Sequence, residues 1–272
     1  MAGLWKDGVQ CVVNIGFDVD GVSSWLGRDG DFAKRPVAMT MGEYGPKVGM
    51  PRILDLLDEY GIKGSFFVPG HTAENHPGIV PDLLARGHEV AHHGYVHERP
   101  ASLDEGEERR ALEKGLEILE WQSGARVMGY RSPSWDISVD TLRLLVEYGF
   151  TYDSSLMDDD APYVHDVGGA RLAELPIQWH LDDFPFWGYA PVAGVRGPLC
   201  SPEAVTRTWT AEFDTLYREG RCYILTLHPQ VSGHPSRLSC LERTLQHILS
   251  HPNVAFMRCD EIADQWLGRE PS

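Results

Sequence analysis

Short apolar runs rich in β-branched and aromatic residues alternate with amphipathic helical stretches along most of this chain, and that rhythm limits the fold more than any other feature. Residues 10–17, 64–69, 88–92, 126–130, 150–152, 172–177, 222–227 and 254–257 read as strands. Residues 50–60, 73–86, 103–122, 138–148, 203–218, 239–249 and 260–267 read as helices, and Gly61, Gly87 and Gly149 stop three of them. Pro77 and Pro81 break the second helix early. Strands that alternate with helices assemble a parallel sheet. No Gly/Ser-rich or Pro-rich linker divides the 272 residues, so the pattern predicts one α/β domain over 1–272, a single (β/α) barrel, TIM-like but distorted, with seven or eight strands. The exception is 22–48, glycine-rich and without periodicity, which reads as a long functional loop with Gly42-Glu43-Tyr44-Gly45 as a lid or subunit contact.

Composition excludes several classes of partner. A formal net charge of −16 repels nucleic acid and anionic membrane surfaces, and a small neutral or cationic substrate suits it better. No run of 18 apolar residues and no basic-then-apolar leader occurs, which predicts a soluble, cytoplasmic protein. The five cysteines (Cys11, Cys200, Cys222, Cys240, Cys259) are odd in number and lack a C-x-x-C pair, so neither a disulfide framework nor a thiolate zinc site is expected. Cys11 and Cys222 lie in strand-like runs and read as core.

Chemistry-bearing residues cluster at the ends of these strands. Asp18 and Asp20 follow the first, and alternation along a strand turns both toward one space. His93 and His97 follow the third, four apart, so one helical turn there aims both imidazoles at one ion. His92, adjacent, faces the other way and packs. Arg131 follows the fourth strand, Asp153 the fifth and His228 the seventh. The C-terminal strand ends of an α/β barrel converge on one face, where active sites form, whereas unrelated surface residues would fall at both ends.

Four motifs in this order resemble the polysaccharide deacetylase superfamily, also called the NodB-homology or carbohydrate esterase 4 family. They are Phe17-Asp18-Val19-Asp20-Gly21, His93-Gly94-Tyr95-Val96-His97, Arg131-Ser132-Pro133 and Leu225-Thr226-Leu227-His228. The resemblance implies Asp18 as base, Arg131 as the residue that orients it, His228 as the acid, and one divalent metal ion on Asp20, His93 and His97. Zn²⁺ is the first choice, with Mn²⁺, Co²⁺ or Ni²⁺ compatible with the same donors. Such an ion lowers the pKa of bound water toward ~7 and polarises a carbonyl, the requirement of amide hydrolysis. Ser132, Trp135, Phe186 and Trp187 are the expected substrate-binding residues; simple packing is the competing account of the aromatics. Two features depart from the family pattern: Val19 separates the aspartates, and no D-x-x-D-W motif is present, leaving Asp153, Asp182 or Asp183 to support His228.

Further motifs, including Glu43-Tyr44-Gly45 and His228-Pro229-Gln230, resemble the branch that holds intracellular peptidoglycan-deacetylase-like proteins, allantoinases and cyclic imide hydrolases. The resemblance implies a homo-oligomer, a tetramer in that branch. The leading expectation is a metal-dependent hydrolase of a non-peptide carbon–nitrogen bond, acting on an N-acetyl sugar. The alternatives are a cyclic imide or ureide hydrolase and a catalytically silent carbohydrate-binding relative.

Overall fold

A computed structural model describes residues 4–269. Its strands are β1 (Cys11–Asp18), β2 (Ser65–Val68), β3 (Glu89–His92), β4 (Gly129–Tyr130), β5 (Tyr152–Asp153), β6 (Tyr163–Val167), β7 (Ala170–Glu174), β8 (Tyr189–Ala190), β9 (Val195–Arg196), β10 (Cys222–Leu227) and β11 (Val254–Phe256). The helices are α1 (Ser23–Leu26), α2 (Pro36–Tyr44), α3 (Met50–Tyr60), α4 (Gly70–Asn75), α5 (Ile79–Ala85), α6 (Glu105–Ser123), α7 (Thr141–Glu147), α8 (Phe184–Trp187), α9 (Pro202–Glu219), α10 (Pro229–Ser232), α11 (Pro235–Leu249) and α12 (Cys259–Leu267).

Nine of the strands form one curled sheet in the order β10-β1-β2-β3-β4-β5-β7-β6, with β11 also paired to β1, and β8 and β9 form a separate antiparallel pair. All of these pairings are parallel except β6–β7. The expected distorted (β/α) barrel is therefore a half-barrel. Among the described residues no ladder closes it, and a single parallel bridge, Asp182 to Thr226, spans the seam. Every residue of β1 and β10 is buried, which explains why both read as nearly unbroken apolar runs instead of alternating ones.

β1 is forked along one edge: Cys11 to Val13 pair with β11, and Gly16 to Asp18 pair with β2. Asn14 sits at the fork, fully buried, and its amide donates to Ser65 Oγ at 3.0 Å and to the Met257 carbonyl at 2.9 Å. Ser65 Oγ also accepts from the Cys259 N–H at 2.7 Å, so one polar knot joins two strands to the start of α12.

Three expectations need correction. Residues 22–48 are largely helical: α1, a 3-10 turn, α2 and the π-turn Gly45–Gly49 fill the segment. Polar, glycine-rich helices show no apolar stripe in sequence, and these are fixed by close backbone contact; a Cβ at Gly42 would strike the backbone of Gly21 and Val22. Tyr44 is no lid, because it stacks on His234 with ring centroids 4.0 Å apart. The second helix is two, α4 and α5, divided at His76-Pro77. Finally, β6 was not foreseen; Gly168 and Gly169, both at positive φ, turn it into β7 as a hairpin.

Asn14→Ala should lower the unfolding free energy by roughly 1–3 kcal/mol in urea denaturation, because it strips hydrogen bonds from buried partners. Val139→Ala, at a fully exposed site, should change it by less than about 0.5 kcal/mol.

Candidate active site

Asp18 ends β1, and the chain stays extended for two residues beyond it, with the Val19 N–H on the Phe67 carbonyl at 2.8 Å. Alternation sends Val19 into the apolar core and both aspartates into one space, so the intervening valine preserves their shared direction. The Asp20 carbonyl accepts from Ser23 Oγ and Thr72 Oγ1, which fixes the turn that follows.

His93 and His97 also reach this space, but by a different route from the helical turn expected. The chain bends at Gly94 (φ 71°), and His97 itself adopts a left-handed backbone (φ 61°). Such a conformation is strained for a non-glycine residue and persists only when the surroundings impose it. Here the Glu98 carboxylate accepts the N–H groups of Tyr95 and Val96, and α1 presses on the bend from outside. His92 points away, as expected, and bonds the Leu112 carbonyl at 3.1 Å.

The protonation of His93 follows from its partner. Nδ1 lies 2.7 Å from the Arg131 carbonyl, which can only accept, so Nδ1 carries the hydrogen and Nε2 of the neutral ring presents a lone pair. That lone pair faces Asp20 Oδ1 at 3.4 Å, and neither buried atom has a hydrogen-bond partner among the described residues. His97 Nε2 lies 3.6 Å from Asp20 Oδ2, and burial pushes its imidazole down to about 4, leaving a second lone pair at neutral pH. Burial opposes ionisation of Asp20, but His97 and the neighbouring imidazoles hold its carboxyl well below the usual range. Three acceptors converge with no hydrogen between them, and one carboxylate with two imidazoles is a set that fits a divalent cation.

Arg131 lies beneath them with no exposure. It donates to Asp18 Oδ1 at 2.9 Å and to the Ser154 hydroxyl and carbonyl, and it rides over the Phe67 ring at 3.8 Å. Asp18 Oδ2 is left facing His93 Nε2 at 3.8 Å and His228 Nε2 at 4.0 Å.

Among the three candidate supports for His228, Asp183 takes the position. Its Oδ1 meets His228 Nδ1 at 2.7 Å, and its Oδ2 accepts the His228 N–H at 2.9 Å and the Ser232 hydroxyl at 2.5 Å. Asp182 Oδ1 stands 3.8 Å off and accepts the Phe184 N–H instead; burial pushes its carboxyl up to about 8. Asp153 is elsewhere, beside Glu174 across the β5–β7 ladder, and burial together with the Glu174 charge raises it well above the ordinary value. Burial works to discharge His228, but the carboxylates of Asp183 and Asp182 outweigh it and raise its pKa well above 6.5.

These groups open on a cavity of about 470 Å³. One wall is aromatic: Trp135 stacks on Trp179 with centroids 4.2 Å apart, and Phe184 and Met157 flank them. Ser134 and Trp135 both hold left-handed backbone (φ 57° and 55°), the strain that turns the indole into the cavity. Of the expected substrate contacts, Trp135 lines the cavity, whereas Ser132, Phe186 and Trp187 do not. Ser132 is buried with its N–H on Ser155 Oγ, and Phe186 and Trp187 pack edge-on against the core residue Trp209. An amphipathic turn places alternate rings on opposite sides, and periodicity does not say which side is the core. Trp179, Arg28 and Arg99 were not foreseen as lining residues; no motif or spacing marks them.

The polysaccharide deacetylase family profile matches residues 29–152. A peptidoglycan deacetylase of Helicobacter pylori is 32% identical over 96% of this chain and 98% of its own length. A crystal structure of a Mycobacterium smegmatis protein described as a polysaccharide deacetylase is 38% identical, covering all of this chain and 98% of that one, with a TM-score of 0.94. The Puue allantoinase structure is 25% identical, covering 98% of this chain and 94% of that one, with a TM-score of 0.87.

The ring protons of His228, followed by NMR in the metal-free protein, should titrate well above pH 6.5. In Asp183→Asn the titration should move to clearly lower pH, because burial then acts with one fewer opposing charge. An unchanged midpoint would remove Asp183 as the group that charges His228.

Proposed function

The chain belongs to the polysaccharide deacetylase family, a hydrolase family acting on non-peptide carbon–nitrogen bonds, and on that footing we propose that it removes the N-acetyl group of an amino sugar. The observation that carries the reading is the opposition, across about 4 Å, of an Arg131-held carboxylate and an Asp183-held, protonated imidazole beside three convergent acceptors.

Asp18 is the base. Arg131 occupies its Oδ1, which leaves Oδ2 to take a proton from the attacking water. His228 is the acid: Asp183 on Nδ1 turns the Nε2–H toward Asp18, where it can protonate the departing nitrogen. Water is consumed, and acetate and a free amine are released. Asp20, His93 and His97 hold the divalent cation, for which we propose zinc. When bound, such an ion polarises the acyl carbonyl and makes water more acidic. The Trp135–Trp179 face supports a saccharide ring, since the apolar faces of sugars lie well on indoles. Because relatives align over nearly the entire chain, we take it as one catalytic domain. Five unpaired cysteines support a reducing, cytoplasmic compartment, and no described helix is long and apolar enough to cross a membrane. Assembly as a homo-oligomer rests on resemblance alone.

A second reading, hydrolysis of a cyclic imide or ureide, is favoured by the dimensions of the cavity. A space of about 470 Å³, lined by Ser24 of α1 and by the indole pair, holds one ring more naturally than a polymer chain.

Metal analysis of the purified protein should give about one ion per chain, lost in the His93→Ala/His97→Ala double variant. With that metal, acetate release from N-acetylated sugars should fall roughly 10²–10⁴-fold in Asp18→Asn and in His228→Ala while metal content is kept. Ring opening of allantoin or hydantoins without acetate release selects the second reading. Retention of the ion in the double variant, or full activity in Asp18→Asn, overturns the scheme.

A further inference from the structure

Several surface cations of this acidic chain are matched to carboxylates. Arg86, Arg109, Arg143 and Arg258 each contact at least one acidic side chain on the surface. Arg28 and Arg99 do not. Both line the cavity that holds Asp18, Asp20 and His228, and among the described residues neither donates a side-chain hydrogen bond or pairs with a carboxylate. Asp136 shares the cavity rim and makes no ion pair with either.

The chain places these two guanidiniums together by a specific backbone contact. α1 ends at Gly27, and a Cβ there would collide with the carbonyls of Val96 and His97, so the helix rests directly on the bend that carries His97. Arg28 leaves the end of α1 and Arg99 leaves the end of the bend, which brings two like charges to one wall. Both arginines are exposed at the cavity, and partial burial together with the Arg99 charge lowers the pKa of Arg28, with Asp20 opposing. Like charges held side by side repel, and an anion placed between them turns that repulsion into two charge-assisted hydrogen bonds. The Trp135–Trp179 stack lines the same cavity, so a ring seated on it lies in the space that this pair also lines.

We propose that Arg28 and Arg99 form a receptor for an anionic group, carboxylate or phosphate, carried by the amide substrate itself. The substrate class is thus an acylated amino compound bearing an acidic substituent near the scissile nitrogen, not a neutral N-acetyl sugar. This specificity rests on the reading of the same site as an amide hydrolase.

Binding separates the two ideas, because it needs no turnover. The full-length, metal-loaded chain carrying Asp18→Asn, which keeps the amide intact, is titrated calorimetrically with three probes. These are N-acetylglucosamine, N-acetylmuramate, which adds a lactyl carboxylate, and N-acetylglucosamine 1-phosphate. At least one acidic probe should bind roughly 10–100-fold more tightly than the neutral sugar, with an affinity that falls as KCl is raised. Adding Arg28→Gln/Arg99→Gln should collapse that ratio toward unity, while Arg28→Lys/Arg99→Lys should keep part of it. Thermal denaturation checks that each variant is folded. Equal affinity for all three probes, or a preference that survives the double glutamine variant, overturns the proposal. Acetate release from neutral sugars by the unmodified enzyme with no anionic preference leaves the hydrolase reading standing and removes this one. Anionic preference without hydrolysis of any probe does the reverse.

Discussion

A fully buried guanidinium is the constraint around which the site is arranged. Removing Arg131 from water costs several kcal/mol unless its donors are met, and the chain meets them with Asp18, Ser154 and the face of Phe67. The clearance for it comes from β1: a side chain at Gly16 would crowd the guanidinium. The same residue acts twice, since its side chain occupies one oxygen of Asp18 and its carbonyl fixes the tautomer of His93. The proposed base and the proposed cation site therefore share a single anchor.

Two histidines of equal chemistry show how surroundings divide the labour. His97 and His228 are both buried, yet one is pushed down and the other up. His97 faces Asp20 at 3.6 Å, and desolvation prevails. His228 has Asp183 in contact, and a carboxylate at 2.7 Å outweighs the same desolvation. A lone-pair donor and a proton donor thus stand on either side of Asp20 with no difference in residue type.

Much of this arrangement was legible in the sequence, because strand alternation and strand-end placement are local properties. The eight strand runs and the convergence of Asp18, Asp20, His93, His97, Arg131 and His228 could be read without coordinates. What escaped was set by contacts between distant segments. The bend at His93–His97 is imposed by Glu98 and by α1, so four-residue spacing gave the right neighbours and the wrong backbone. The choice among Asp153, Asp182 and Asp183 depended on how the chain after β7 crosses the seam toward β10, a matter of long-range register. Phe186 and Trp187 were drawn toward the cavity by composition alone, and Trp209, on a helix some twenty residues on, decides otherwise. The hairpin at Gly168-Gly169 did carry a local signal, a pair of glycines between short apolar runs.

The pairing of β1 with β10 has a bearing on how the protein comes into being. The carboxylates stand near residue 20 and the His228 imidazole at residue 228, and they become neighbours only when β10 docks on β1. During synthesis, β1 must wait with one edge unpaired while some two hundred residues follow it, so long-separation contacts dominate the search for the native state. A nascent chain halted before β10 would expose that apolar edge, the kind of surface that chaperones bind. Assembly of the half-barrel and the meeting of Asp18 and Asp20 with His228 are therefore one event.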